Sequence, residues 1–165
     1  MYMKRTVEET ILKVSRSFPA IVVYGPRQVG KSTTIEMLFA SKYRKVTLDD
    51  RDDRLLAESN PRLFLESHAY PLIIDEIQKA PSILDEIKIK IDEQRLIWIK
   101  ESKERELMYI LTGSSRFELQ EGISESLAGR CGVVDMSSFS QAEKYGYDNP
   151  FFEPKIESLR LRGKE

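Results

Sequence analysis

The stretch GPRQVGKST, residues 25–33, places two glycines, a lysine and hydroxyl side chains between an apolar run and a helix-forming run. This G-x-x-x-x-G-K-S spacing is typical of a loop whose main-chain N–H groups surround a phosphate. Glycines permit the positive φ that such a loop needs, and the next helix adds its N-terminal partial charge. The alternative is a chance match in a glycine turn. The predicted nucleotide-binding residues are Gly25, Pro26, Arg27, Gln28, Val29, Gly30, Lys31, Ser32 and Thr33.

Three side chains of this loop have an expected chemical role. Lys31 is expected to contact the β- and γ-phosphates, and the Ser32 hydroxyl to ligate Mg²⁺. Thr33 is placed to reach the α-phosphate. Arg27 and Gln28 lie inside the loop, where side chains point away from a nucleotide, so a structural or partner-facing role is favoured for their side chains.

Two acids, Asp75 and Glu76, directly follow the apolar run YPLII. A hard cation needs oxygen ligands, so Asp75 is expected to act through the Mg²⁺ shell. Glu76 is expected to orient or deprotonate an attacking water, which favours hydrolysis over binding alone. The alternative is a turn at a strand end with two solvated acids.

Further polar residues follow other predicted strands. Thr112 and Ser114, in YILTGSS, could bond the γ-phosphate or the attacking water, although small polar residues are also ordinary turn formers. Asp49 and Asp50 follow another strand, where they could support the Mg²⁺ shell or cap the next helix.

Arginines are candidates to stabilise charge that develops on a transferred phosphate. Arg130, in SESLAGR, and Arg116, in SSRF, are the two that we single out. Either could act in its own chain or on a neighbouring copy, and the alternative for each is a solvated surface position.

Hydrophobic patterns predict the elements that must position these residues. Apolar runs predict strands at 20–25, 44–50, 70–78, 107–115 and 132–139. Helical spacing predicts helices at 7–18 and 31–40, two short pieces within 52–67 broken before Pro61, and a long helix from Ser82. The end of that long helix is open, because RLIWIK could also form a strand. Strands that alternate with helices predict an α/β fold with a mostly parallel five-stranded sheet covered on both faces, and ligands bind at the carboxyl ends of such strands.

Composition sets the broad class. The 165 residues carry 26 basic and 27 acidic side chains, a formal net charge of -1, which gives no indication of a nucleic-acid partner. Cys131 is the single cysteine, so an internal disulfide is excluded and a reducing setting is favoured. The N-terminus lacks a signal-peptide pattern and no apolar run reaches membrane-spanning length. These features predict one domain in the cytoplasm without a membrane partner.

Four blocks together resemble the prokaryotic AAA-type P-loop ATPases: VVYGPRQVGKST, LIIDEIQKAPSILDEIK, ILTGSS and SESLAGR. The resemblance covers about residues 5–145. It implies a three-layer P-loop NTPase sandwich that uses ATP and Mg²⁺, with Glu76 as catalytic base. It also implies a γ-phosphate sensor near Thr112 to Ser114 and makes Arg130 an arginine-finger candidate.

Proteins that this chain resembles normally continue into a C-terminal domain. We therefore predict an ATPase core at residues 1–146, followed at 147–165 by a tail that could be the remnant of a link to such a domain. The expected partners are ATP and either further copies of the chain or a separate C-terminal partner.

Competing functions remain open at this point. The leading hypothesis is Mg²⁺-dependent ATP hydrolysis that drives a conformational or assembly change. The alternative is a nucleotide-gated protein-binding module with little turnover. A small-molecule kinase is less favoured because the Asp-Glu pair suits water better than an acceptor hydroxyl. A GTPase is also less favoured, because the sequence has no N/T-K-x-D element to read guanine.

Overall fold

The computed structural model describes residues 2–114, 123 and 125–145, in which strands and helices alternate. The strands are β1 (Ala20–Tyr24), β2 (Arg44–Thr47), β3 (Leu72–Asp75), β4 (Tyr109–Gly113) and β5 (Cys131–Asp135). The helices are α1 (Val7–Ser15), α2 (Lys31–Phe39), α3 (Arg51–Ser59), α4 (Pro61–Ser67), α5 (Ile83–Glu101) and α6 (Gln141–Tyr145), and a 3₁₀ turn spans Ile77–Lys79.

The five strands form one sheet in the order β2-β3-β4-β1-β5, and every neighbouring pair is parallel. The predicted α/β sheet is therefore confirmed, with β2 at an edge as its less continuous apolar pattern indicates. Val23 pairs with Thr112 and Tyr24 with Gly113, so β1 and β4 end level with each other. This register brings the residues that follow β1, β3 and β4 to the same edge of the sheet.

Helices cover both faces of this sheet. In β1, Ala20, Val22 and Tyr24 face one layer, whereas Ile21 and Val23 face the other, because successive strand residues point to opposite sides. The first layer contains α3, α4 and α5, and the second contains α1 and α2. All five residues of β1 are buried, which explains a run that is apolar at every position.

The ambiguous segment RLIWIK is helical and completes α5. Ile91 and Trp98 are seven residues apart and both buried, whereas Ile99 is exposed, and this spacing is that of a helix face rather than a strand. Ser102 ends the helix in the left-handed region, with φ 50°, and its N–H bonds back to the Ile99 carbonyl.

Helix α1 ends earlier than the predicted residue 18, at Ser15. Ser17 N–H bonds to the Val14 carbonyl in a turn, and Pro19 then disfavours helical backbone at Phe18. The predicted break before Pro61 is confirmed, because Asn60 caps α4 with Pro61 at its first position.

The part of the chain that the structure describes includes no helix long and apolar enough to cross a bilayer. The predicted tail at 147–165 and Arg116 lie outside the described residues.

Candidate active site

The glycines of the loop between β1 and α2 are required by close approach and by backbone conformation. A Cβ built on Gly25 would lie 2.0 Å from the Met136 carbonyl oxygen, so even alanine collides with main chain there. Gly30 adopts φ 92° and ψ 19° immediately before α2, a left-handed conformation that favours glycine. These two positions fix the path of the loop around the N-terminus of α2.

Lys31 begins α2 and lies beneath the loop. Its ammonium donates to the carbonyl oxygens of Gly25 and Pro26, both at 2.8 Å. Burial lowers the pKa of Lys31, and Glu76 and Asp75 only partly oppose that effect. The cation is therefore desolvated but satisfied by neutral partners, so an arriving anion would relieve its lost hydration.

Asp75, at the end of β3, joins the loop to the neighbouring strands. Ser32 Oγ donates to its carboxylate at 2.9 Å, and the fully buried Thr112 hydroxyl donates to the same group. Lys45, on β2, lies 3.4 Å from Asp75 Oδ2. Burial acts to raise the pKa of Asp75, but the hydrogen bonds from Thr112 and Ser32 and the charge of Lys45 outweigh it and lower the pKa. Asp75 is thus held as a carboxylate.

Glu76 follows directly, in the left-handed region with φ 59°. Its carboxylate accepts hydrogen bonds from Gln78 and, at 3.2 Å, from Ser114. The Gln78 amide also contacts Ser114 at 3.0 Å. Gln78 Oε1 is buried and finds no partner among the described residues. A non-glycine residue at positive φ is a strained conformation that often marks a functional position.

A cavity of about 540 Å³ opens above the loop. It is lined by Arg27, Gln28, Gly30, Lys31, Ser32, Thr33, Asp49, Glu76 and Lys79. Asp49 pairs with Lys79 at its wall. Asp50 instead caps α3 by accepting from the N–H groups of Asp52 and Asp53 at 2.9 and 3.1 Å, so helix capping is the role that the structure gives it.

The structure brings most of the predicted site residues together. Ser32 and Thr112 contact Asp75 directly, and Ser114 contacts Glu76. Lys31 bonds the loop carbonyls of Gly25 and Pro26 and senses the charges of the two acids without a direct contact. The side chains of Arg27 and Gln28 are exposed at the cavity rim, and Gln28 has φ 64°. Thr33 is exposed at the same cavity.

Arg130 is placed elsewhere. It directly precedes β5, and Cys131 pairs with Ala20, the first residue of β1. Arg130 therefore lies near the amino ends of the strands, whereas the loop lies at their carboxyl ends. Its guanidinium forms two hydrogen bonds to Asp92, at 2.7 and 2.8 Å. Within one chain Arg130 therefore does not reach the cavity.

Three residues that contact the site, Gln78, Lys45 and Arg5, were not predicted from the sequence. Gln78 stands two positions after Glu76 and resembles an ordinary surface polar residue. Lys45 sits on an edge strand, and Arg5 precedes α1, yet Arg5 contacts the Val29 carbonyl in the loop. The signals available were the position of Gln78 beside the acids and the edge position of Lys45.

The donor set at the cavity fits Mg²⁺. Ser32 and Asp75 offer a hydroxyl and a carboxylate within hydrogen-bond distance of each other. Among the described residues no group of three or more His, Cys, Asp or Glu side chains is clustered to hold a metal. Mg²⁺ suits a site with few protein oxygens, because it retains waters and shares phosphate oxygens.

Comparison with known proteins identifies the family. A family model described as an AAA domain matches residues 17–145. Two uncharacterized proteins, from Mycobacterium bovis and Mycobacterium tuberculosis, are each 29% identical over 125 residues. Those residues make up 74% of this chain, whereas the match spans 26% of each relative.

A solved structure supports the fold. The Walker-type ATPase PABY2304 of Pyrococcus abyssi superposes with a TM-score of 0.55 at 16% identity, over 90% of this chain and 60% of that chain. Because the family model matches most of the residues, including the loop and the acids that meet at the cavity, the chain belongs to the AAA domain family and is an AAA-type P-loop ATPase core.

Proposed function

We propose that this chain binds ATP with Mg²⁺ at the cavity and hydrolyses its γ-phosphate, and that the cycle drives a conformational or assembly change. The observation that carries the proposal is the contact of Ser32 Oγ with Asp75 at 2.9 Å, with Glu76 next in sequence on the cavity wall. A loop hydroxyl, a metal-binding acid and a candidate base are thereby brought to one place.

Phosphate binding follows from the loop. Main-chain N–H groups around Gly30 and the N-terminus of α2 attract an anion, and Lys31 adds a desolvated ammonium. Lys31 donates to two loop carbonyls at 2.8 Å. We infer that the ammonium exchanges those carbonyls for phosphate oxygens, which carry full negative charge and accept stronger hydrogen bonds.

Mg²⁺ would be held by the Ser32 hydroxyl, with Asp75 acting directly or through a bound water. When bound, it would neutralise charge on the phosphate oxygens. The hydrogen bonds from Thr112 and Ser32, with the charge of Lys45, lower the pKa of Asp75 and keep it ionised, and Thr112 also orients its carboxylate.

Water activation falls to Glu76. As a general base its carboxylate would accept the proton of a water that attacks the γ-phosphate in line. Ser114 and Gln78 both donate to one oxygen of this carboxylate, Oε2, and so restrain it. Ser114 and Thr112 are also the candidates to report the presence of the γ-phosphate, because both are tied to the two acids.

We infer that Arg130 acts at the cavity of a neighbouring copy of the chain. Its position at the opposite edge of the sheet suits contribution to another chain's cavity rather than its own. We therefore infer a homo-oligomer, with a separate C-terminal partner as the other arrangement. We keep residues 1–146 as the core and the cytoplasm as the setting, which the single cysteine supports.

Phosphate release from ATP, measured with the wild type and with Glu76→Gln, tests the proposal. A hydrolase should lose steady-state release by about 100-fold or more in Glu76→Gln while it still binds MgATP. Glu58→Gln, which changes an exposed acid of α3 in the same way, serves as the matched control.

Two results would contradict hydrolysis at this site. Equal release from the wild type and Glu76→Gln would place the activity elsewhere. Tight MgATP binding with no release above background would favour the nucleotide-gated binding module. Release that rises more steeply than protein concentration would support a site completed by a neighbouring copy.

A further inference from the structure

A buried arginine lies directly behind the phosphate loop. Arg5 is 3% exposed, and its Nη1 donates to the Val29 carbonyl at 2.7 Å. Its Nη2 donates to the Ser137 carbonyl at 2.7 Å, and its Nε to Glu143 at 3.2 Å. We refer to Arg5, Val29, Ser137 and Glu143 as the Arg5 cluster.

The bond to Val29 determines which way one loop peptide faces. In a trans peptide the carbonyl of one residue and the N–H of the next point in opposite directions. Arg5 draws the Val29 carbonyl to the back of the loop, so the Gly30 N–H is directed away from Arg5, toward the cavity that Gly30 lines. A loop N–H aimed in this way is a donor for phosphate.

Glu143 holds Arg5 in place. Its carboxylate accepts the N–H groups of Thr6 at 2.7 Å and Ser140 at 2.8 Å in addition to Arg5 Nε. The Phe139 ring covers the guanidinium, with its centroid 4.0 Å from Arg5 Cζ. Arg5 therefore makes several directed contacts with its planar guanidinium. Lysine could supply the positive charge but not this planar set of donors.

The cluster also joins distant parts of the chain. Arg5 precedes α1, Val29 belongs to the loop, and Ser137 and Glu143 follow β5. A displacement of the segment after β5 would therefore move the guanidinium and release the Val29 carbonyl. Breaking only part of this set of contacts is costly, because it leaves a buried charge without its partners.

We propose that Arg5 is a positioning residue for polyphosphate binding, and that the segment from Ser137 to Glu143 sets phosphate affinity through it. This inference rests on the proposed function, because it assigns a controlling element to the same loop. Arg5 acts through the Val29–Gly30 peptide and does not itself contact the nucleotide.

Affinity measured on folded variants tests the inference. Arg5→Met should bind magnesium tripolyphosphate and MgADP about tenfold or more weakly than the wild type, at a temperature where circular dichroism shows it folded. Arg5→Lys should recover only part of the loss. Lys4→Met, which removes the neighbouring exposed cation, should bind like the wild type. Folded Arg5→Met with wild-type affinity would overturn the inference.

A measurement on the wild type remains informative if Arg5→Met does not fold. With ¹⁵N-labelled arginine, the Arg5 Nε–H signal should exchange slowly and shift when magnesium tripolyphosphate is added, whereas that of the exposed Arg62 should not. An Arg5 signal unchanged at saturating ligand would overturn the inference.

The two proposals fail in different ways. If the wild type binds neither MgADP nor tripolyphosphate, the proposed function fails and this inference fails with it. If the wild type binds both ligands and the arginine readouts do not respond, only the role of Arg5 is overturned.

Discussion

Two buried cations, Lys31 and Arg5, lie on opposite sides of the phosphate loop and differ in how they are satisfied. Lys31 lines the cavity and donates to two neutral carbonyls. Arg5 lies behind the loop and forms an ion pair with Glu143 besides its two carbonyl contacts. No carboxylate among the described residues contacts the Lys31 ammonium, whereas the Arg5 charge is neutralised by Glu143 inside the protein.

This difference separates binding from positioning. A desolvated cation with only neutral partners lowers stability yet gains strongly when an anion arrives. A cation that is paired and fully hydrogen-bonded contributes order and offers nothing to a ligand. Lys31, on the cavity side of the loop, is thus suited to bind the nucleotide, whereas Arg5, on the other side, is suited to hold the loop in its conformation.

The largest expected effect comes from removing the front cation. Lys31→Met should weaken MgATP binding by about 100-fold, because the main buried counter-charge for the phosphates is lost. Its melting temperature should stay equal to that of the wild type or rise, since a buried ammonium is replaced by an apolar chain of similar length. Titration calorimetry and thermal unfolding measure the two effects.

Arg5→Met is the comparison for that variant, and it should lose both affinity and stability. If Lys31→Met were the less stable of the two, the distinction between a binding cation and a positioning cation would be wrong.

Gly25→Ala tests whether the back of the loop is sterically closed. The new Cβ would lie 2.0 Å from the Met136 carbonyl oxygen, so the loop or the segment after β5 must move. We expect a loss of about 2 kcal/mol in the free energy of unfolding, together with weaker nucleotide binding. Urea denaturation checks the stability. Unchanged unfolding would show that this contact is easily relieved.

Gln78→Leu tests the restraint on Glu76. Leucine removes the donor to Glu76 and Ser114, and it also removes the buried Gln78 oxygen that has no partner in the part of the chain that the structure describes. Turnover should fall about tenfold with little change in nucleotide affinity, and the melting temperature should not fall. A wild-type turnover number would show that Ser114 alone is sufficient to hold the base.

The smallest effect concerns acid stability at the back of the loop. Burial acts to raise the pKa of Glu143, but bonds from the Ser140 and Thr6 N–H groups and the charge of Arg5 lower it from 4.5 to about 2. Because the folded-state pKa is the lower one, this stabilisation is complete above pH 4.5 and is lost as pH falls toward 2.

Glu143→Gln should therefore be less stable than the wild type near neutral pH, and its stability should fall less between those limits. Denaturant midpoints measured across that range check the slope. Parallel curves for the two proteins would contradict the pKa shift.

The sequence predicted the main features of the fold because strong local patterns specify them. Each buried strand is a short apolar run, and Pro61 and the helical spacing of Ile91 and Trp98 mark helices. Element ends were less well predicted: each strand was drawn too long, by five residues in the case of Leu72–Asp75, since flanking residues such as Tyr70 share the composition of strands. Backbone hydrogen bonds, which no residue type encodes alone, decide those ends.

The site was predictable where the functional side chains lie within short sequence motifs. Lys31, Ser32, Asp75 and Glu76 belong to such motifs. Arg5 was not predictable, because its role depends on the approach of segments from both ends of the domain, 138 positions apart in the case of Glu143.

The central claim is that the loop and the acids bind MgATP together. Calorimetric titration of Glu76→Gln with MgATP tests it most directly, because this variant should bind without hydrolysis. We predict a saturable heat with one nucleotide per chain, with an affinity about 100-fold weaker in the Lys31→Met, Glu76→Gln double variant and a reduced affinity when Mg²⁺ is chelated. No heat, together with no change in melting temperature, would contradict the account.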